Sequence, residues 1–131
     1  MSPSDSRQGV CLPTLLVVDD QSPLRAIISR ALMEAGYHVL EADEGEQALE
    51  LIERPENDVS LVISDIRMPG MDGYELADRL TRRPRPMPMI FISGYGQTGI
   101  ALPGSIFLKP FSMRELLIEV RRLLGGARAA S

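Results

Sequence analysis

The chain has too few cysteines and histidines for the structural devices that are built from them. Among its 131 residues there is one cysteine, Cys11, and one histidine, His38. A disulfide within the chain would need two cysteines, and a structural zinc site needs four ligands that are mostly cysteine or histidine. Both are therefore excluded.

Long apolar runs and an excess of basic charge are missing as well. No apolar stretch approaches the ~20 residues that a transmembrane helix needs, and residues 1–9 lack the apolar core of a signal peptide. Fourteen basic and eighteen acidic side chains give a net charge of −4, which does not indicate a nucleic-acid partner. We expect a cytoplasmic protein with one folded domain over 13–125 and flexible tails over 1–12 and 126–131.

Four short apolar runs are present, and each ends on a residue that can interact with a phosphate or a metal ion. Such runs are typical of strands that are buried on both faces of a parallel sheet. The runs and the residues that follow them are 15–18 before Asp19 and Asp20, 61–64 before Asp65, 89–92 before Ser93, and 106–108 before Lys109. Because ligands bind beyond the carboxyl ends of such strands, the pattern predicts that three carboxylates, a hydroxyl and an ammonium meet at one edge.

Helical patterns alternate with these strands, which predicts βα units and a doubly wound α/β fold with five parallel strands. The first helix is expected to begin with a cap at Ser22 and to end at Gly36. A more polar edge strand covers 37–42, and a capping box of Asp43 and Glu46 starts the second helix.

The second half of the chain continues this alternation. A short helix covers 74–80, and the clearest helix is capped by Ser112, completed by Glu115 and stopped by Gly125. The three prolines in 82–88 exclude a helix there. The basic side chains of that segment could form an anion-binding patch, but the pattern favours a solvated connector.

The interval between the last two strands is short and rich in residues that disfavour a helix. Residues 94–104 contain four glycines and one proline. Relative to alanine, an interior glycine costs a helix roughly 1 kcal/mol and a proline about 3 kcal/mol. We therefore expect the fourth helix of the fold to be short or absent.

The acidic residues suit a divalent cation and a phosphoryl group. Asp19, Asp20 and Asp65 can supply the oxygen ligands that Mg²⁺ prefers, and without a cation their carboxylates repel one another. A carboxylate can also act as a nucleophile toward phosphorus, and Asp65 lies on a constrained turn that suits this role. Ser93 can donate a hydrogen bond to a phosphoryl oxygen, and Lys109 can place a cation beside it. Each residue also has an ordinary structural interpretation, such as a helix cap for the acidic pair, so only the combination indicates a site.

Four segments together resemble the receiver domain of two-component response regulators. They are 17–20 (VVDD), 65–73 (DIRMPGMDG), 92–94 (ISG) and 109–111 (KPF). The resemblance extends over about 15–124, nearly the whole chain. It implies a flavodoxin-like sheet of five parallel strands in the order 2-1-3-4-5.

The resemblance also implies a phosphoacceptor and a metal site. Asp65 is then the phosphoacceptor. Asp20 and Asp65 are implied as direct ligands of Mg²⁺, and Asp19 as a ligand that acts partly through water. The backbone carbonyl of Arg67 is implied as the remaining protein ligand.

Further residues are implied to respond to the phosphoryl group. Ser93 corresponds to the switch hydroxyl of the family, and Lys109 to the cation that contacts the phosphoryl group. Family members often carry an aromatic residue three positions before this lysine, where this chain has Ile106. The neighbouring Phe107 is expected on the opposite face of its strand.

By the same resemblance, the chain is expected to be a phosphoacceptor switch rather than an enzyme, although it would assist its own phosphorylation and dephosphorylation. A histidine kinase or a histidine phosphotransfer protein would donate the phosphoryl group, and the new charge would shift a conformational equilibrium read by an unidentified downstream protein. The chain is expected to be either a stand-alone regulator or the receiver module of a hybrid kinase, and Met1 favours the former.

Two other functions fit parts of the pattern. A Mg²⁺-dependent phosphohydrolase with an aspartyl-phosphate intermediate would also use Asp65, but such enzymes commonly place a general acid two residues later, where this chain has Arg67. A flavin or nucleotide carrier on the same fold would need a phosphate-binding loop after the first strand. The acidic Asp19-Asp20 pair would repel a phosphate there in the absence of a metal.

Overall fold

Strands and helices alternate along the chain, as the sequence predicts, in a computed structural model that describes residues 12–94 and 104–125. The strands are β1 (Thr14–Val18), β2 (His38–Ala42), β3 (Val59–Asp65), β4 (Met89–Ser93) and β5 (Ser105–Leu108). The α-helices of the described residues are α1 (Ser22–Glu34), α2 (Gly45–Ile52), α3 (Gly73–Thr81) and α4 (Met113–Leu123), and a 3₁₀ turn covers Pro55–Asn57.

The five strands form one parallel sheet in the order β2-β1-β3-β4-β5, which confirms the predicted topology. The more polar β2 lies at an edge, also as predicted. Asp65 of β3 pairs with Ile92 of β4, and Ser93 pairs with Leu108 of β5. Since these strands end level with one another, the residues that follow them lie at one edge of the sheet.

Side chains that alternate along the strands fill two apolar clusters, one on each face of the sheet. The cluster beneath α2 and α3 includes Leu16, Val62 and Phe91, whereas Leu15 and Ile63 belong to the cluster beneath α1 and α4. All five side chains are almost completely buried. Burial on both faces explains why β1, β3 and β4 are almost continuously apolar rather than alternating with polar residues. The expected burial of 106–108 is wrong, because β5 lies at an edge of the sheet and is only partly buried, with Leu108 exposed.

The last helix begins and ends as predicted. The side chain of Ser112 accepts a hydrogen bond from the N–H of Glu115. Gly125 follows the helix with a φ of 109°, a left-handed conformation that glycine adopts at little cost. Phe111 packs against the apolar cluster that contains Leu116, in line with a hydrophobic staple.

The predicted cap of the first helix is wrong by one residue. Ser22 is itself the first helical residue, and Gln21 takes the cap position without a side-chain hydrogen bond. Instead, Asp19 Oδ1 accepts a hydrogen bond from the N–H of Gln21 at 2.9 Å. A side chain of the preceding loop therefore satisfies the N–H of the cap residue.

The predicted capping box of the second helix is also wrong. Glu44 occupies the cap position, with no side-chain hydrogen bond from it. The N–H of Asp43 donates to Gln47 Oε1 at 2.9 Å. Gln47 thus reaches back to the residue before the cap. The sequence analysis assigns this role to Glu46.

Several predictions concern residues outside the described part of the chain. The short or absent fourth helix would lie between β4 and β5, where 95–103 are not described, and the proposed tails fall almost entirely on 1–11 and 126–131. Within the described residues, no helix combines the length and the apolar character that crossing a bilayer requires.

Candidate functional site

Hydrogen bonds between backbone groups continue past the ends of the strands and position the loops that follow. They run from the N–H of Asp19 to the carbonyl of Ala42 (3.1 Å), from Ile66 to Ile92 (3.1 Å) and from Lys109 to Ser93 (2.8 Å). The first residue of each of these three loops is therefore fixed by a backbone hydrogen bond to the neighbouring strand.

Three carboxylates lie together at this edge. One oxygen atom from each of Asp19, Asp20 and Asp65 lies within 4.8 Å of the other two. Asp19 and Asp65 are buried, whereas Asp20 is exposed. Carboxylate oxygens are the ligands that hard divalent cations prefer, and a cation would offset the repulsion between the three charges. The acidic group could therefore hold a metal ion.

The environment of Asp19 favours the protonated carboxyl group. Burial raises the pKa of Asp19 to about 6, and the neighbouring carboxylate of Asp65 adds to the rise. The N–H of Gln21 and the more distant charge of Lys109 oppose it, because both stabilise the carboxylate. A divalent cation bound here would act in the same direction and favour the ionised form.

Lys109 approaches the end of β3 from the loop after β5. Its Nζ lies 3.7 Å from Oδ2 of Asp65, and its side chain is 27% exposed, compared with 8% for Asp65. The distance is longer than that of a well-formed hydrogen bond. The ammonium is thus a positive charge that faces the buried carboxylate from one side.

Ser93 and Arg67 lie beside these groups through their backbone positions. Ser93 is buried at the end of β4, next to the backbone of Lys109. The N–H of Arg67 lies 3.4 Å from Oδ1 of Asp65, in the loop after β3. All six residues that the sequence predicts therefore meet at one edge of the sheet. Side-chain distances bring together Asp19, Asp20, Asp65 and Lys109, and backbone contacts place Ser93 and Arg67 beside them.

Sequence analysis missed Arg25, which supports the acidic loop. Its Nη1 donates to the carbonyl of Asp19 at 2.6 Å, and its Nε donates to Oε1 of Glu41 at 2.8 Å. Arg25 thereby ties the loop after β1 to the edge strand β2. The available signal was a basic residue in the first turn of the helix that follows the acidic pair.

Gly73 allows the loop after β3 to close tightly against the site. Its N–H donates to the carbonyl of Ile66 at 2.7 Å. A Cβ atom at this position would lie 2.8 Å from both the carbonyl oxygen of Asp65 and the Cα of Ile66. A side chain at Gly73 would therefore push the start of α3 away from the phosphoacceptor candidate.

The two residues at the centre of β5 face opposite sides of the sheet, as predicted. Ile106 packs against the cluster beneath α2 and α3, and Phe107 against the cluster beneath α1 and α4. The ring of Phe107 meets that of Phe111 edge to face, with centroids 6.3 Å apart. The position three residues before Lys109 thus holds an aliphatic side chain that belongs to the α2–α3 side.

The strand order and the group of side chains at the ends of β1, β3 and β5 define a receiver-type α/β domain. The family model for the response regulator receiver domain matches residues 15–121. The chain belongs to this family.

Two proteins of Brucella abortus (strain 2308) show the relationship. The chain is 34% identical over 116 residues to the response regulator receiver protein CpdR, a match that covers 84% of this chain and 95% of CpdR. It is 39% identical over 117 residues to the sensor kinase CckA, which covers 85% of this chain but 12% of the kinase. The chain therefore spans only a small part of that second relative.

A solved structure supports the fold independently. The CheY-like response regulator receiver domain protein of Methanospirillum hungatei JF-1 matches with a TM-score of 0.79 at 25% identity, over 92% of this chain and 100% of that one. These relatives are named as signalling proteins, and they give no support to the phosphohydrolase alternative.

Proposed function

We propose that this receiver domain is a phosphoacceptor switch in which Asp65 takes a phosphoryl group from a phosphohistidine. The observation that carries the proposal is the environment of the Asp65 carboxylate. It is buried at the end of the central strand, 3.7 Å from the ammonium of Lys109 and within 4.8 Å of two further carboxylates. A nucleophile, a cation for the transferred group and ligands for a metal are thus adjacent.

The transfer needs little more than these groups. An oxygen of Asp65 attacks the phosphorus, an O–P bond forms while the N–P bond of the phosphohistidine breaks, and the imidazole leaves with the electron pair. Lys109 then stabilises the negative charge of the transferred group, and the hydroxyl of Ser93 donates a hydrogen bond to it.

The acidic group is proposed to bind Mg²⁺. Asp19, Asp20 and Asp65 would hold the ion together with the backbone carbonyl of Arg67, and this set of oxygen donors fits its preference. When bound, Mg²⁺ would neutralise charge on the phosphoryl oxygens. The raised pKa of Asp19 supports the proposal. It shows that Gln21 and Lys109 only partly stabilise the ionised carboxylate, and a bound cation would add the missing stabilisation.

The donor is proposed to be a histidine kinase or a histidine phosphotransfer protein of the cytoplasm. Similarity to a receiver protein and to a sensor kinase supports a place in a two-component pathway. The added charge on Asp65 would act on Lys109 and so on β5, which offers a route to a downstream protein.

Phosphorylation by a small acyl phosphate tests the proposal. Incubation with acetyl phosphate and Mg²⁺, followed by intact-mass measurement, should show the addition of one phosphoryl group to the parent chain and none to Asp65→Asn. Asp72→Asn is the matched control, since Asp72 caps α3 by accepting from the N–H of Glu75 and asparagine caps equally well. Phosphorylation that persists in Asp65→Asn, or that is lost in Asp72→Asn, would contradict the assignment.

A further inference from the structure

A cavity of about 800 Å³ opens at the amino ends of the strands, at the opposite edge of the sheet from the acidic group. Its walls come from the segments that lead into β1, β3 and β4 and from the ends of α2 and α4. Cavities of roughly 300–1,000 Å³ typically hold small-molecule ligands. This cavity is therefore large enough for a ligand of nucleotide size.

The charged side chains of the cavity are mainly basic. Arg54, Arg83 and Arg85 line it, and Asp58 is the one carboxylate among the described lining residues. This excess of positive charge is local, because the chain as a whole carries −4. In the part of the chain that the structure describes, none of the three arginines forms an ion pair.

Arg83 has a further property that indicates a missing acceptor. Its Nε is enclosed by the protein and has no hydrogen-bond partner among the described residues. Leaving a buried donor of a charged group without an acceptor is unfavourable. The neighbouring Arg82 shows the opposite arrangement: it is exposed, does not line the cavity, and its Nε lies 3.1 Å from Oδ2 of Asp78.

Proline forms much of the remaining wall. The prolines that line the cavity are Pro13, Pro55, Pro84, Pro86 and Pro88. Because proline fixes φ and has no N–H group, these segments present a rigid and largely apolar surface. Leu12 and Met87 extend that surface. The cavity thus combines a basic region with a rigid apolar region.

We propose that this cavity binds a small organic phosphate, with its phosphate on Arg54, Arg83 and Arg85 and its apolar or ring-shaped body against the prolines. Guanidinium groups bind phosphate through paired hydrogen bonds, and a phosphate offers several oxygens to arginines that approach from two separate segments. A single carboxylate suits three arginines less well than a phosphate does, because it has only two oxygens and carries less negative charge. The proposal makes no use of Asp65 or Mg²⁺ and stands apart from the proposed phosphoacceptor function.

Titration of the unphosphorylated full chain with adenosine 5′-monophosphate in EDTA tests the proposal. Amide chemical shifts should change saturably at 54–60 and 83–88 and remain unchanged around the acidic group. Adenosine, which lacks the phosphate, should cause no saturable change, and inorganic phosphate should bind more weakly than the nucleotide. Absence of saturable changes at the cavity would overturn the proposal, and equally tight binding of succinate would overturn the choice of phosphate.

Two adjacent arginines provide matched variants. Arg83→Gln should weaken binding of adenosine 5′-monophosphate by about tenfold, the loss expected for one charge-assisted hydrogen bond. Arg82→Gln removes the same charge one residue away and should leave the affinity unchanged. An equal loss of affinity in both variants would show that the nucleotide is attracted by the net charge of the region and does not occupy a defined site. Circular dichroism of each variant establishes that the fold is retained.

Discussion

The ammonium of Lys109 lies 3.7 Å from the carboxylate of Asp65, although β4 separates the strands that carry the two residues. The lysine side chain therefore reaches across the end of β4, where Ser93 is the last residue. Under the proposed function, a charge added to Asp65 would act on the edge strand β5 through this contact.

Replacing Lys109 with alanine should separate phosphorylation from the structural response. Binding of Mg²⁺ is expected to remain nearly intact, since the carboxylates are unchanged, but the pull of the phosphoryl group on the end of β5 is lost. Amide chemical shifts recorded before and after phosphorylation measure this. The changes should spread into β5 in the parent chain and stay near the acidic loops in the variant. Arg121→Ala, an exposed change on α4, is the control, and an equally wide spread in Lys109→Ala would contradict this role.

The exposed Asp20 gives a direct test of the proposed metal site. Asp20→Asn should lower the affinity for Mg²⁺ by at least roughly 10–100-fold, since loss of an outer-shell partner alone has that effect. Little change in the free energy of unfolding is expected, because the side chain is exposed. Calorimetric titration with Mg²⁺ measures the affinity. The control is Asp43→Asn, which changes an exposed carboxylate outside the acidic group and should bind Mg²⁺ as tightly as the parent chain. If Asp20→Asn also binds Mg²⁺ as tightly as the parent chain, the site is misassigned.

The raised pKa of Asp19 predicts a particular pH dependence of stability in the absence of metal. The carboxyl group has a pKa of 3.8 as the reference for the unfolded chain and about 6 in the folded protein, so the folded state holds its proton more tightly. The contribution of Asp19 to stability is therefore fully present below pH 3.8 and is lost as the pH rises through about 6. Over that window the parent chain should lose up to about 3 kcal/mol relative to Asp19→Asn.

Urea unfolding of both chains at several pH values in EDTA measures this difference. Groups that do not interact with Asp19 titrate alike in both chains, so their contributions cancel when the two free energies of unfolding are compared. Saturating Mg²⁺ should restore the stability of the parent at neutral pH, because the ion binds the ionised carboxylates. Parallel pH profiles for the two chains would show that burial of Asp19 does not favour its protonated form.

Gly73 provides a test of the packing beneath the site. Gly73→Ala places a Cβ 2.8 Å from backbone atoms of Asp65 and Ile66. Because these atoms belong to the backbone, the overlap should lower the free energy of unfolding by about 1–3 kcal/mol. Gly94→Ala is the control, since among the described residues its Cβ would meet only the Cδ of Lys109, at 3.7 Å. Chemical denaturation of both variants compares them, and similar stabilities would argue against a close approach at Gly73.

Much of the fold and the site could be predicted because the relevant signals are local. Asp65 and Ser93 each end a largely buried apolar strand, and Lys109 directly follows the apolar but only partly buried β5. Parallel strands that end level bring such residues together without further information. The cap at Ser112 is likewise a local pattern, and it forms as predicted.

Other features depend on tertiary contacts that no short pattern reveals. Arg25 contacts Glu41, which lies sixteen residues away in the sequence, on β2. The predicted cap at Ser22 is wrong because the helix starts one residue earlier, with the carbonyl of Gln21 accepting from the N–H of Arg25. The basic cavity also joins segments that are far apart in the chain, so the basic run over 82–88 alone favours a solvated connector.

The position of β5 at the edge of the sheet has a consequence for local unfolding. Its four residues pair with one neighbouring strand only, and none of them is fully buried. Edge elements with few buried contacts open at a lower free energy than interior strands. Opening of β5 would withdraw Lys109 while leaving Asp19, Asp20 and Asp65 at the ends of the interior strands β1 and β3. Such a partly open form would keep the three carboxylates together without the lysine, and amide hydrogen exchange of β5 would measure how often it forms.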